Sequence, residues 1–137
     1  MIDFNYETDF KLDDEKIIAK WISAVILSEG FEVGDILYVF CNDEFLHKLN
    51  VEFLSHDTFT DIISFDYGMG KQVNGEIYIS IERVLDNSND FNTEFLDELH
   101  RVIIHGILHF CGYKDKSESE ETEMRSKEDL SLKKLLA

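Results

Sequence analysis

An α+β fold, with a four-stranded mixed sheet and four to five helices packed on it, is what this sequence predicts for residues 1–137 as a single domain. Three observations carry that expectation. Apolar residues recur with a period of two in some segments and of 3.6 in others, which gives the order β, α, β, α, β, β, α, α. At 137 residues, 44% of them hydrophobic and 11 of them Phe, the chain can bury one core of useful size, and no second domain is visible. The run from Ile36 to Phe40 is apolar almost without interruption, as in a strand buried on both faces.

Residues 2–6 alternate apolar and polar and form the first strand, with one face buried. A helix follows, capped by Asp13 or Asp14 and stopped by Gly30, because Ile17, Ile18, Trp21, Ile22, Val25 and Ile26 recur at helical spacing. The second strand spans residues 34–41. Asn42 caps a short helix that carries Phe45, Leu46, Leu49 and Phe53, and a polar loop over residues 55–58 leads to a strand over residues 61–65. Residues 68–75 make a glycine-containing, hairpin-like connection to the strand of residues 76–81, so these two strands pair. Thr93 opens a long apolar helix whose buried side is Phe95, Leu96, Leu99, Val102, Ile103, Ile107 and Phe110. Ser117 starts the last helix with a capping box to Glu120, and Lys133 and Lys134 suit the negative end of its dipole.

The chemistry is concentrated in residues 105–115, HGILHFCGYKD. His105 and His109 are four apart, so on a helix they project from one face and can chelate one ion, as in the HExxH motif of zinc peptidases. Gly112 ends the helix. In a left-handed conformation it turns the chain back and brings Asp115 round as a third ligand. Against the longer HExxHxxGxxH pattern of the metzincin peptidases, His105, His109, Gly112 and Asp115 fall on matching positions, so the helix is zincin-like. One position differs: Gly106 stands where those peptidases carry the glutamate that deprotonates water, so the cage is kept and the base is missing. Two histidines four apart also arise by chance; the terminating glycine and the third ligand make this set a metal site. An interior glycine, costing roughly 1 kcal/mol against alanine, points further to close backbone packing at 106. Three protein ligands leave one position open for water, which is the pattern of a catalytic zinc, and the reaction class is metal-assisted hydrolysis.

Composition narrows the partners. The formal charge of −16 excludes a broad basic groove for nucleic acid, leaving at most a local cationic patch from Arg101, Lys114 and Lys116 near the site. The absence of a long apolar run and of a charged-then-apolar leader reads as cytoplasmic and membrane-free. Both cysteines fit that compartment. Cys41 and Cys111 lack a disulfide-framework spacing, and Cys111, two residues after His109, points away from the ligand face. His47 and His100 read as structural or solvent-facing.

These residues carry a resemblance. The chain resembles the YbeY family of bacterial endoribonucleases and rRNA maturation factors, whose HGxLHxxGY motif is matched by His105, Gly106, Leu108, His109, Gly112 and Tyr113. The family's LN pair is matched by Leu49 and Asn50, its loop by Asp57 and Thr60, and the strand after it by Ile62, Ile63, Ser64 and Phe65. Gly75, Glu76 and Ile77 match a further strand. The resemblance implies a metal-dependent single-strand endoribonuclease that matures the 3′ end of 16S rRNA and serves ribosome quality control. It implies one Zn2+ per chain on His105, His109 and Asp115, no nucleotide cofactor, and as partners an rRNA precursor or the small ribosomal subunit; the acidic net charge adds the expectation that basic small-subunit ribosomal proteins help deliver the substrate. Two positions depart from the family. Its third ligand is usually a His where this chain has Asp115, and its common Arg after the LN pair aligns with Leu54, which removes a phosphate-clamping guanidinium. His56 is the stand-in, named beside His105 as catalytic. The rivals are a non-catalytic ribosome assembly factor with a structural metal, and a zinc peptidase, which Gly106 disfavours unless Asp61 or Glu76 reaches the water.

Overall fold

The computed structural model describes residues 1–55 and 60–136. Four strands and five helices follow one another as β1 (Ile2–Tyr6), α1 (Glu15–Ser28), β2 (Glu32–Cys41), α2 (Asp43–Leu54), β3 (Ile62–Asp66), β4 (Gln72–Ser80), α3 (Ile81–Asp90), α4 (Phe95–Phe110) and α5 (Glu118–Leu136). The sheet has the order β1-β2-β4-β3, parallel between β1, β2 and β4, with β3 antiparallel to β4. The expected mixed sheet and the expected pairing of the last two strands are both present.

Alternation along β2 and β4 sorts the core. Ile36, Tyr38, Phe40, Ile77 and Ile79 face α1 and α4, where they meet Ile22, Ile26, Leu99, Ile103 and Ile107. Fully burying one such side chain contributes about 1.5–3 kcal/mol, so this layer dominates the stability. Two buried polar contacts then fix the helices on it. The Tyr38 hydroxyl donates to the Ile103 carbonyl at 2.8 Å, tying β2 to α4, and Trp21 Nε1 donates to the Ser131 carbonyl at 2.7 Å, tying α1 to α5. On the opposite face a small cluster of Cys41, Leu46 and Ile63 lies under α2.

Gly106 confirms the close approach. A Cβ built there would stand 3.0 Å from Ile77 Cδ1 and 3.2 Å from Ile62 Cδ1, so α4 crosses the sheet at a distance set by the missing side chain.

Several local expectations are corrected. The sequence reading ran the last strand through Ile81 and assigned nothing to residues 82–92; the chain instead forms α3, capped by Ser80, whose hydroxyl accepts from the Arg83 N–H at 3.1 Å. Ile81, Val84 and Leu85 do recur at helical spacing, but Ile81 also continues the apolar run of β4, so the start of the helix reads as strand. β4 begins at Gln72 rather than 76, and Glu94, not Thr93, precedes α4. Phe45, Phe53 and Leu96 are exposed by 37%, 62% and 52%. The two phenylalanines lie at the flank of α2, stacked on Tyr78 and edge-on to Phe65, while Leu46 and Asn50 take its buried stripe.

Candidate metal centre

The last two turns of α4 and the chain reversal after it build the site. Gly112 has φ +101°, its N–H donates to the His109 carbonyl at 3.0 Å, and the Tyr113 N–H donates to the Leu108 carbonyl at 3.1 Å. This pair of bonds is the Schellman closure that a left-handed glycine permits. It returns the chain toward the helix, so that Asp115 Oδ2 lies 3.3 Å from the Nε2 atoms of both His105 and His109. Those two Nε2 atoms are 3.0 Å apart.

The donor set fits a divalent ion. Ligands 2.0–2.1 Å from a tetrahedral zinc lie about 3.3 Å from one another, close to the three separations present here. All three ligand atoms fall within 4.8 Å of one another. Each imidazole also has its other nitrogen engaged: His109 Nδ1 lies 2.9 Å from the Tyr113 carbonyl and His105 Nδ1 lies 2.7 Å from Glu128 Oε2. A carbonyl and a carboxylate accept, so both rings carry hydrogen at Nδ1 and turn their Nε2 lone pairs toward Asp115. Burial by itself would lower the pKa of His105, but the bond and charge of Glu128, with Asp115 and Asp61 nearby, outweigh it and hold the group above its ordinary value.

Two hollows meet at His105. One of about 280 Å³ is bounded by Asp61, Glu98, Arg101, His105, Asp115, Arg125 and Glu128; a wider one of about 700 Å³ shares His105, Asp115, Arg125 and Glu128 with it and is closed by Glu121 and Asp129. Asp61, like Glu98 and Glu128 beside it, is a carboxylate there outside the group that could hold the metal. Burial pushes its carboxyl above the usual range, against the opposing pull of His105 and of the Asn87 amide, which donates to Asp61 Oδ2 at 3.3 Å.

The structure brings together all three residues expected to hold the metal. His56, expected to be catalytic, lies outside the described residues. Leu54 ends α2, 42% exposed, with Ser55 after it in a left-handed conformation. Of the two carboxylates considered as an external base, Asp61 lines the site, whereas Glu76 accepts from the Tyr78 hydroxyl at 3.1 Å, on the other side of the sheet. The expected cationic patch is corrected: Arg101 is bound by Glu128 and Asp129, each at 2.7 Å, and so is not free for phosphate. Arg125 lines both hollows and, among the described residues, makes no ion pair. The Cys111 thiol, pushed up to about 12 chiefly by burial, stays protonated and makes a poor ligand. Glu128 escaped the sequence reading, since one Glu in an acidic helix carries no signal of burial.

A sequence model of the family described as Endoribonuclease YbeY matches residues 2–136. Curated relatives carrying that same description include a Flavobacterium johnsoniae protein, 60% identical over 129 residues that make up 94% of this chain and 93% of the relative. Another, from Flavobacterium psychrophilum, is 56% identical over 97% of this chain and 95% of its own length. Among solved structures, a Thermotoga maritima protein studied in solution superposes with a TM-score of 0.69 at 26% identity, covering 98% of this chain and 89% of that one.

Proposed function

We infer the function from one premise: the chain belongs to the YbeY endoribonuclease family. It is an endoribonuclease. Its substrate, in this reading, is single-stranded RNA at the 3′ end of precursor 16S rRNA, cut during small-subunit maturation and in the quality control of ribosomes, in the cytoplasm. The observation that carries it is the triangle of His105, His109 and Asp115 at the meeting point of two hollows, with the Asp61 carboxylate and the Arg125 guanidinium among the non-ligand groups that line them.

His105, His109 and Asp115 hold one zinc ion per chain. When bound, zinc supplies Lewis acidity toward a phosphoryl oxygen and lowers the pKa of water, somewhat less strongly with a carboxylate among its ligands than with three neutral imidazoles. Arg125 binds the phosphate in place of the guanidinium that Leu54 does not provide. Asp61 moves the proton. Its Oδ2 is held by Asn87, which leaves Oδ1 to accept hydrogen from the attacking oxygen and later return it to the leaving one. Gly106 takes no part, because a Cβ at that position would meet the side chains of Ile62 and Ile77.

The net charge of −16 repels naked RNA, so basic small-subunit ribosomal proteins present the substrate. One reading competes, supported by the exposed Leu54: an assembly factor whose metal pins the Asp115 loop and which binds pre-ribosomes without cutting.

The test is elemental analysis paired with cleavage of precursor small-subunit rRNA, free and within pre-ribosomal particles, by the parent protein and by His109→Ala. Expected are one zinc and cleavage in the parent, neither in the variant, and weak binding to free RNA across a salt titration. Full cleavage by His109→Ala would overturn the scheme, metal-loaded protein that binds particles without cutting would favour the assembly factor, and tight salt-resistant binding to free RNA would remove the need for delivery.

A further inference from the structure

The two imidazoles are oriented by very different means. His109 is held by the Tyr113 carbonyl, four residues away in the turn that ends its own helix. His105 is held by Glu128, 23 residues on and in the middle of α5. Glu128 is 5% exposed, and a carboxylate so buried is costly unless its oxygens are satisfied. Both are: Oε2 faces His105 Nδ1, and Oε1 accepts from Arg101 Nη1, at 2.7 Å each. Arg101 reaches on to Asp129 through Nη2, also at 2.7 Å. The guanidinium comes from α4, one turn before His105, so the carboxylate is gripped from the same helix that carries the ring it orients.

α5 depends heavily on this grip. Of its 19 residues only Met124, Glu128 and Ser131 are buried, and two of those three are polar. Its other ties are the Trp21 indole on the Ser131 carbonyl, Lys127 on Glu29 at 3.6 Å, and the packing of Met124, Leu132 and Leu135 on the core.

We propose that Glu128, clamped by Arg101, is a positioning residue for His105, and that it couples metal affinity to the docking of α5. The proposal rests on the reading of His105, His109 and Asp115 as the metal site. With the carboxylate in place the ring is held with Nε2 toward Asp115; with it gone, the ring is free to turn and to carry hydrogen on either nitrogen. Coupling runs both ways, so a bound ion must tighten α5 as much as a docked α5 tightens the ion.

Three measurements test this, none of which uses RNA. The parent, Glu128→Ala and Glu128→Gln are compared for Zn2+ affinity by competition with a chromophoric chelator. The His105 tautomer is read from ring ¹⁵N shifts in the metal-free proteins, and amide hydrogen exchange in α5 is followed with and without Zn2+. Expected are a loss of about 10–100-fold in affinity for Glu128→Ala, mixed tautomers at its His105, and slower α5 exchange in the parent when zinc is bound. Glu128→Gln, whose amide oxygen still accepts from Nδ1, keeps the Nδ1–H form and recovers part of the affinity. Zinc affinity in a folded Glu128→Ala within twofold of the parent overturns the positioning role. Parent α5 amides that exchange equally fast with and without zinc overturn the coupling. Should Glu128→Ala fail to fold, the parent exchange and the Glu128→Gln tautomer decide. A parent that binds zinc and fails to cut RNA sinks the nuclease reading and leaves this one standing.

Discussion

α4 and α5 are neighbours of similar length that serve the same centre, yet they are held in opposite ways. α4 spans 16 residues and buries nine of them, eight apolar or glycine and one Glu, against the sheet and α1. α5 spans 19 and buries three. The two histidine ligands therefore stand on an element that the core fixes, with Asp115 in the turn after it, and the group that orients His105 stands on an element held by polar contacts and a short apolar edge of Met124, Leu132 and Leu135. Rigidity of the first shell comes from hydrophobic burial; that of the shell behind it comes from hydrogen bonds.

The comparison is open to attack at three points. The largest effect is expected from Ile103→Ala in α4, where a side chain with no exposed surface is truncated beneath the Tyr38 bond. Global stability should fall by about 2–5 kcal/mol in urea titration, and a loss under 1 kcal/mol would show that α4 is not the anchored member. A smaller effect belongs to Ser117→Ala at the start of α5. The Ser117 hydroxyl accepts from the Glu120 N–H at 3.1 Å and the Glu120 carboxylate accepts from the Ser117 N–H at 2.9 Å, a reciprocal cap at the exposed end. Its removal should cost about 1 kcal/mol, with hydrogen exchange accelerated in α5 and unchanged in α4; equal acceleration in both would mean the two helices open as one unit.

The smallest concerns His100 on α4, packed edge-on against Trp21 at 6.0 Å between ring centroids. Burial lowers its pKa from 6.5, against a weaker upward pull from Asp97. A depressed histidine means that the unfolded chain binds the proton more readily, so stability contributed by the neutral ring is complete above the unfolded value. It is lost as pH falls from about 6.5 through the lower folded value. Metal-free His100→Gln should therefore show a shallower decline in stability over that range than metal-free parent protein. An unchanged slope would assign the acid sensitivity to other groups.

What could be read from the sequence divides along the same line. Asn42, Gly112 and the Ser117–Glu120 box act within a turn of themselves, so spacing alone exposes them, and each is found making the expected contact. His105, His109 and Asp115 converge for the same reason, since ten residues of local geometry suffice. Glu128, Asp61 and the capture of Arg101 by two acids depend on which residues the sheet and α5 bring alongside α4, a matter of long-range packing. Neither residue type nor spacing singles out Glu128 from the other glutamates of its helix. α3 stayed hidden because Ile81, the first of its apolar positions, extends the apolar run of β4, and because residues 86–90 are all polar.

The tight passage of α4 over Ile62 and Ile77 has a consequence for ancestry. A glutamate introduced at position 106 would grow into hydrocarbon, away from the open side where a substrate arrives. Even its first carbon requires Ile62 and Ile77 to yield by a few tenths of an ångström, so the water-activating carboxylate of a protein-cutting enzyme comes to that position only with repacking of the sheet surface beneath it.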